Sequence, residues 1–159
     1  MSALDQWEGT NGTIRYHSHT TVVKICRRKA KGYSADEQKE IHEIVLKILS
    51  NPFYTVLRAP YLVKSSVYEM EAVDVDTPIF LGVEDRIPAG FDLRRLIEEL
   101  AYFWKQLWSR GHAAWDFELY LQEDGSVVIL DYDKFKKTLD STFFIHPSFP
   151  RNFQELLGL

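Results

Sequence analysis

Apolar residues recur at helical spacing in two stretches and alternate with polar ones in several others. Ile41, Ile44, Val45 and Ile48 stand at i, i+3, i+4 and i+7, the spacing of one helix face. Ser34 and Glu37 ahead of them have the capping-box spacing, and Asn51-Pro52 stops the run, so the pattern predicts a helix over 34–50. At about 100° per residue, Glu37 falls on the apolar side of that helix, Glu40 on its flank, and Glu43 away from it. A longer stripe comprises Leu93, Leu96, Ile97, Leu100, Phe103, Trp104, Leu107 and Trp108. Asp92 precedes it as an N-cap, while Lys105, Arg110 and Gly111 close it, which predicts a helix over 92–110. β-Branched and alternating runs predict strands at Thr13–Tyr16, Thr20–Cys26, Phe53–Leu57 and Tyr61–Val73. A hairpin is expected from Glu118–Gln122 and Val127–Leu130 about a tight turn at Asp124-Gly125. Residues 74–91 hold Pro78, Gly82, Pro88 and Gly90 and read as a connector. Strands interrupted by helices, without βαβ alternation, give an α+β fold.

Bulk properties narrow the class. A chain of 159 residues is expected to form a single domain with a core that needs no disulfide staples. Cys26 is its one cysteine, which points to a reducing compartment. The first residues lack a basic-then-apolar leader pattern, and no apolar run approaches the roughly 20 residues of a membrane span. The expectation is an intracellular, cytoplasmic, soluble protein with no membrane partner. A net charge of −4 gives no general pull toward nucleic acid. The basic run Arg27, Arg28, Lys29 and Lys31 reads as a solvated turn.

The candidate chemistry gathers at the hairpin. Asp116 and Glu118 enter it where Asp131 and Asp133 leave it, so several carboxyl groups meet at one end. Carboxylates that close repel one another unless a cation or a donor sits between them. Lys24 is a lone charge within the apolar strand Thr20–Cys26, costly if buried unless paired; a solvent-facing lysine is the plain alternative. Gly9 and Gly12 mark a turn near the N-terminus, read as a plain hairpin or as a loop approaching a phosphate.

In this order the parts resemble the protein-kinase-like fold, with an N-terminal antiparallel sheet and one helix, then a reduced C-terminal half. The segment TVVKI resembles the family's V-A-I-K strand, which makes Lys24 the residue holding ATP phosphates. The helix over 34–50 resembles the one whose glutamate pairs with that lysine, a place for Glu37 or Glu40. VYEMEAVD resembles the strand leading to the adenine site, which implies that Glu69, Met70 and Glu71 present backbone to the base. VVILDYDKF resembles the strand ending in the metal-binding aspartate, which implies that Asp131 holds Mg²⁺. The resemblance covers roughly residues 7–135, and it also reaches relatives that phosphorylate small molecules.

The family's catalytic loop, H-R-D-x-x-x-x-N, is altered. Counting from Asp116 as the base, the asparagine position is Leu121; counting back from the following strand, Glu118 takes that position and Ala113 the place of the base. Only 28 residues follow Asp131 (159 − 131), so most of the family's C-terminal helices have no counterpart. Three readings follow. In the first, the chain is a minimal Mg-ATP-dependent phosphotransferase acting on a protein or small-molecule hydroxyl, with Asp116 as base and Glu118 and Asp131 on metal. In the second, it is an inactive kinase-like module that binds a protein partner, with the aromatic tail (Phe143, Phe144, Phe149, Phe153) covering exposed core. In the third, it is a metal-dependent hydrolase built on Asp116, Glu118, Asp131 and Asp133.

Overall fold

The computed structural model describes residues 6–8, 12–16, 20–26, 35–64, 67–79, 88–114, 117–130, 132 and 135–137. The fold is α+β. Its elements in chain order are β1 (Gln6–Glu8), β2 (Gly12–Tyr16), β3 (Thr21–Cys26), α1 (Ala35–Leu49), β4 (Leu57–Arg58), β5 (Glu69–Glu71), α2 (Leu93–Ser109), β6 (His112–Ala114), β7 (Glu118–Leu121), β8 (Val127–Leu130) and β9 (Phe135–Lys137).

The described strands form three sheets. An antiparallel sheet has the order β1-β2-β3-β5; a mixed sheet has the order β4-β8-β7, with β4 parallel to β8; β6 and β9 make an antiparallel pair. β1 and β2 pair antiparallel with Glu8 opposite Thr13, and the turn expected at Gly9 lies outside the described residues.

The two helices share the larger core. Ile41, Val45 and Ile48 of α1 join Leu96, Leu100, Phe103, Trp104 and Leu107 of α2, with Leu57, Leu119, Val127, Ile129 and Tyr132. Full burial of each such aliphatic or aromatic side chain stabilises by about 1.5–3 kcal/mol, so this cluster, rather than helix propensity, holds the helices. Val22, Tyr68 and Met70 form a smaller cluster under the first sheet. Asp92 caps α2 as the sequence predicts, its carboxylate accepting the Arg95 N–H at 3.0 Å. Gly111 follows the helix at φ +79°, a left-handed position that glycine adopts without a Cβ penalty.

Several boundaries differ from expectation, each for a local reason. The strand expected at Phe53–Leu57 shortens to Leu57–Arg58, because Asn51 turns the chain: its side chain accepts the Phe53 N–H at 2.9 Å and its carbonyl the Tyr54 N–H at 3.1 Å. The run Tyr61–Val73 is not one strand. It folds back on itself, with Val63 N–H donating to the Glu69 carbonyl at 3.0 Å and Glu71 N–H to the Tyr61 carbonyl at 2.9 Å. The start of the connector 74–91 lies against the hairpin, where Pro78 bridges Tyr120 and Ile79 N–H donates to the Leu119 carbonyl at 2.8 Å. His112–Ala114 is a strand whose partner β9 lies more than 20 residues on. The hairpin loop holds three residues rather than two: Gln122 N–H donates to the Ser126 carbonyl at 2.8 Å, and Gly125 takes φ +86°. That is the type I turn with a left-handed glycine that three-residue hairpins use.

Candidate functional site

The β7–β8 hairpin sets the frame. Its register places Glu118 opposite Leu130, the residue before Asp131, and the β6–β9 register places Ala114 opposite Phe135. The two connectors of the acidic region, 115–117 and 131–134, therefore start and finish at the same two ladder pairs. Asp116, Asp131 and Asp133 lie outside the described residues, as does Gly9. Glu118 is exposed, and its Oε2 accepts the Tyr120 hydroxyl at 2.9 Å. Strand alternation turns Leu119 the other way, into the core.

The remaining sequence candidates are distributed around this frame. Lys24 sits in β3 opposite Ile14, and Gly12 in β2 opposite Cys26; their side-chain surroundings lie outside the described part. Glu37 and Glu40 are both exposed on α1, and the polar residues that this helix buries are instead Gln38 and His42. His42 is 0% exposed. Its Nε2 lies 2.7 Å from the Pro60 carbonyl and so donates to it, leaving Nδ1 to accept the Tyr68 hydroxyl at 2.8 Å. Its ring centroid is 4.7 Å from that of Tyr132, the residue between Asp131 and Asp133. Tyr132 is buried, and its hydroxyl donates to the Ile129 carbonyl at 2.6 Å; burial pushes that phenol well above its ordinary pKa. The acidic segment is thus tied to α1 through an aromatic contact in the core.

Met70 and Glu71 lie in β5, whose backbone is used on both edges. Met70 pairs with Val22 on one side and bridges Leu62 on the other, while Glu71 N–H is taken by Tyr61. The Glu71 carboxylate receives both terminal nitrogens of Arg58, at 2.8 and 3.1 Å. Arg58 Nε also donates to Ser126 Oγ at 3.1 Å, so one guanidinium bridges β5 and the hairpin turn. Ser126 in turn donates through both its N–H and its hydroxyl to Asp124, and those bonds hold the Asp124 carboxyl below its ordinary pKa. Beyond β5, Ala72 N–H donates to the Thr20 carbonyl at 2.7 Å. Asp74 is clamped by Gln122, which accepts its N–H at 3.0 Å and donates to its carbonyl at 2.9 Å. Val73, between these two, is half-buried, and its backbone N–H and C=O have no hydrogen-bond partner among the described residues. The β5 backbone is thus taken up in pairing on both edges, and the unengaged amide and carbonyl of Val73 follow it.

Arg58→Met tests the bridge. Bidentate guanidinium–carboxylate bonds are stronger than neutral ones, but both side chains are partly solvated, at 34% and 22% exposure. The expected loss is therefore about 1–2 kcal/mol in urea denaturation, shrinking as salt is added.

No group of three or more metal-ligating side chains converges among the described residues, and no helix among them is long and apolar enough to cross a membrane. No protein-family model matches the chain, and no curated protein or solved structure does either.

Proposed function

We propose that the chain is a minimal kinase-like module that binds Mg-ATP through residues of its first sheet and of the β7–β8 hairpin. The observation that carries the reading is the shared anchoring of the two acidic connectors at the Glu118–Leu130 and Ala114–Phe135 pairs. Val73 supports it with an unengaged donor and acceptor side by side, the complement of a purine edge. On this reading Lys24 contacts phosphate, Glu37 or Glu40 orients Lys24, and Glu118 and Asp131 supply oxygens for the metal. Glu118, the one described carboxylate of that pair, has one oxygen engaged by Tyr120 and offers the other, at the hairpin end from which the chain runs on to Asp131. Bound Mg²⁺ would neutralise phosphate charge. The protein's own share is positioning, which phosphoryl transfer chiefly needs.

Transfer to a protein or small-molecule hydroxyl assigns Asp116 the role of accepting the hydroxyl proton. A second reading, a binding module without turnover, is favoured by Ala113. That residue stands in the β6 ladder opposite Lys136 and has no group to take a proton.

Thermal denaturation with and without Mg-ATP tests the proposal. A ligand at 100 times its Kd adds about 2.7 kcal/mol to the folded state, so the wild-type midpoint is expected to rise. Lys24→Ala and Asp131→Ala are each expected to abolish the rise; an unshifted wild type would sink the reading. Phosphate release or autophosphorylation that disappears in Asp116→Asn would then mark an enzyme, and binding without turnover a module.

A further inference from the structure

We infer that the outer face of α2 around Tyr102, with Phe53 beside it, is a docking surface for an acidic segment of a protein partner, one that presents an apolar side chain between carboxylates. Large apolar side chains are usually exposed singly, but here two meet. Phe53 and Tyr102, each 36% exposed, stand with ring centroids 4.7 Å apart and planes at 59°. Half-buried Tyr54 lies beside both, at 5.4 Å from Phe53 and 5.9 Å from Tyr102. The patch is held in place by polar bonds. Asn51 accepts the Phe53 N–H at 2.9 Å, Arg95 donates to the Phe53 carbonyl at 2.5 Å, and the carbon of that guanidinium lies 4.6 Å from the Phe53 ring centroid. Rings fixed in this way bind a partner at little cost in conformational entropy, and buried aromatic anchors dominate interface energetics.

Charge selects the occupant. Arg94, Glu98, Tyr102 and Lys105 follow one another at one-turn spacing and share a stripe of α2. Glu98, the single carboxylate of the stripe, already lies 3.5 Å from Arg94 and 3.7 Å from Arg95. Lys105 is exposed and has no ion pair or hydrogen bond among the described residues. The Arg94 side chain is 89% exposed, so its pair with Glu98 contributes little and is readily exchanged. Cations therefore flank the aromatic patch on a chain whose net charge is −4, and they favour an acidic partner over a basic one. Along the helix the two cations stand about 16 Å apart, within reach of a short amphipathic segment. None of these residues belongs to the proposed Mg-ATP site.

The test is fluorescence anisotropy of the full chain with a labelled helix-forming peptide that carries leucine and tryptophan between glutamates, against a second peptide in which lysines replace the glutamates. The acidic peptide is expected to bind saturably, with affinity falling as salt is added, and the basic peptide not to bind. Lys105→Glu and Tyr102→Ala should each weaken binding about tenfold or more. Lys47→Glu makes the same change of charge at an exposed position of α1 and should bind as wild type does. Tyr102→Ala also loses packing on Phe53, so Lys105→Glu, whose unliganded thermal midpoint is expected to match wild type, is the variant that decides. Equal binding of the two peptides, or an equal loss in Lys47→Glu and Lys105→Glu, would overturn the assignment. So would the absence of saturable binding, or self-association in sedimentation that Tyr102→Ala removes, which would make the occupant a second copy of this chain.

Discussion

Glu99→Leu is expected to cost about 3–5 kcal/mol, the range for removing one partner of a buried charge network, and so to leave the protein largely unfolded at ambient temperature. Glu99 is 0% exposed in the middle of α2. Its oxygens accept the N–H groups of Val56 and Leu57 at 2.9 and 2.8 Å and the Thr55 hydroxyl at 3.0 Å. Arg95, one turn earlier, donates Nε at 2.7 Å. The carboxylate thus does for the approach to β4 what a neighbouring strand would do, satisfying amides that the Asn51 turn leaves unpaired. Leucine fills the space and removes the acceptor of all four donors, among which the Leu57 amide is buried and the Val56 amide half-buried. Glu99→Gln keeps one acceptor oxygen and should fall well short of the leucine loss. Urea denaturation followed by tryptophan fluorescence measures both, and equal losses for the two variants would contradict this account.

The same group predicts a pH dependence. Burial alone would raise the Glu99 pKa, but the Leu57 and Val56 amides and the Thr55 contacts outweigh it and leave the value below that of an ordinary glutamate. A carboxyl with a depressed folded-state pKa stabilises the native state above its unfolded value of about 4.3, and that contribution disappears as pH falls through the folded value. Stability should therefore be flat with respect to this group above about pH 5 and should decline below it. Glu99→Gln should flatten that acid limb.

These polar anchors mark where sequence reading stopped. The α2 stripe foretold Leu96, Leu100, Phe103, Trp104 and Leu107 correctly, since helical periodicity depends only on the helix itself. Glu99 falls beside stripe residues, and nothing in its own position singles it out from the other charges of α2. Its burial is fixed by amides some 40 residues earlier, which no local pattern encodes. Likewise α1 was read for Glu37 and Glu40, while Gln38 and His42, one turn apart and adjoining the Ile41–Val45 face, are the buried polar residues; helical spacing from the stripe was the available signal. The hairpin was legible because Asp124-Gly125 and alternation act over a few residues, and it put Glu118 at the correct end. β6 and β9 were not, being three-residue strands that exist only through each other. Of the candidate site, register supplied the anchors, and Val73 emerged only once the ladders of β5 were accounted for.

His42→Leu carries the second large effect, about 2–4 kcal/mol of stability. The imidazole is the hub where α1, the approach to β5 and the acidic segment meet: Pro60 on one nitrogen, Tyr68 on the other, and the Tyr132 ring against its face. Leucine is close in size but withdraws the bonds that the imidazole gives the buried Pro60 carbonyl and the Tyr68 hydroxyl, each such loss costing about 1–3 kcal/mol. Tyr68→Phe removes the same bond from the other side, so the double variant is expected to lose less than the sum of the two single losses; additive losses would show that the Tyr68 bond is not what His42 contributes. Because Tyr132 lies between Asp131 and Asp133, the loss should extend past global stability. Under conditions where His42→Leu remains folded, its Mg-ATP thermal shift is expected to be smaller than that of wild type. An undiminished shift in a destabilised protein would mean that the acidic segment is held independently of α1.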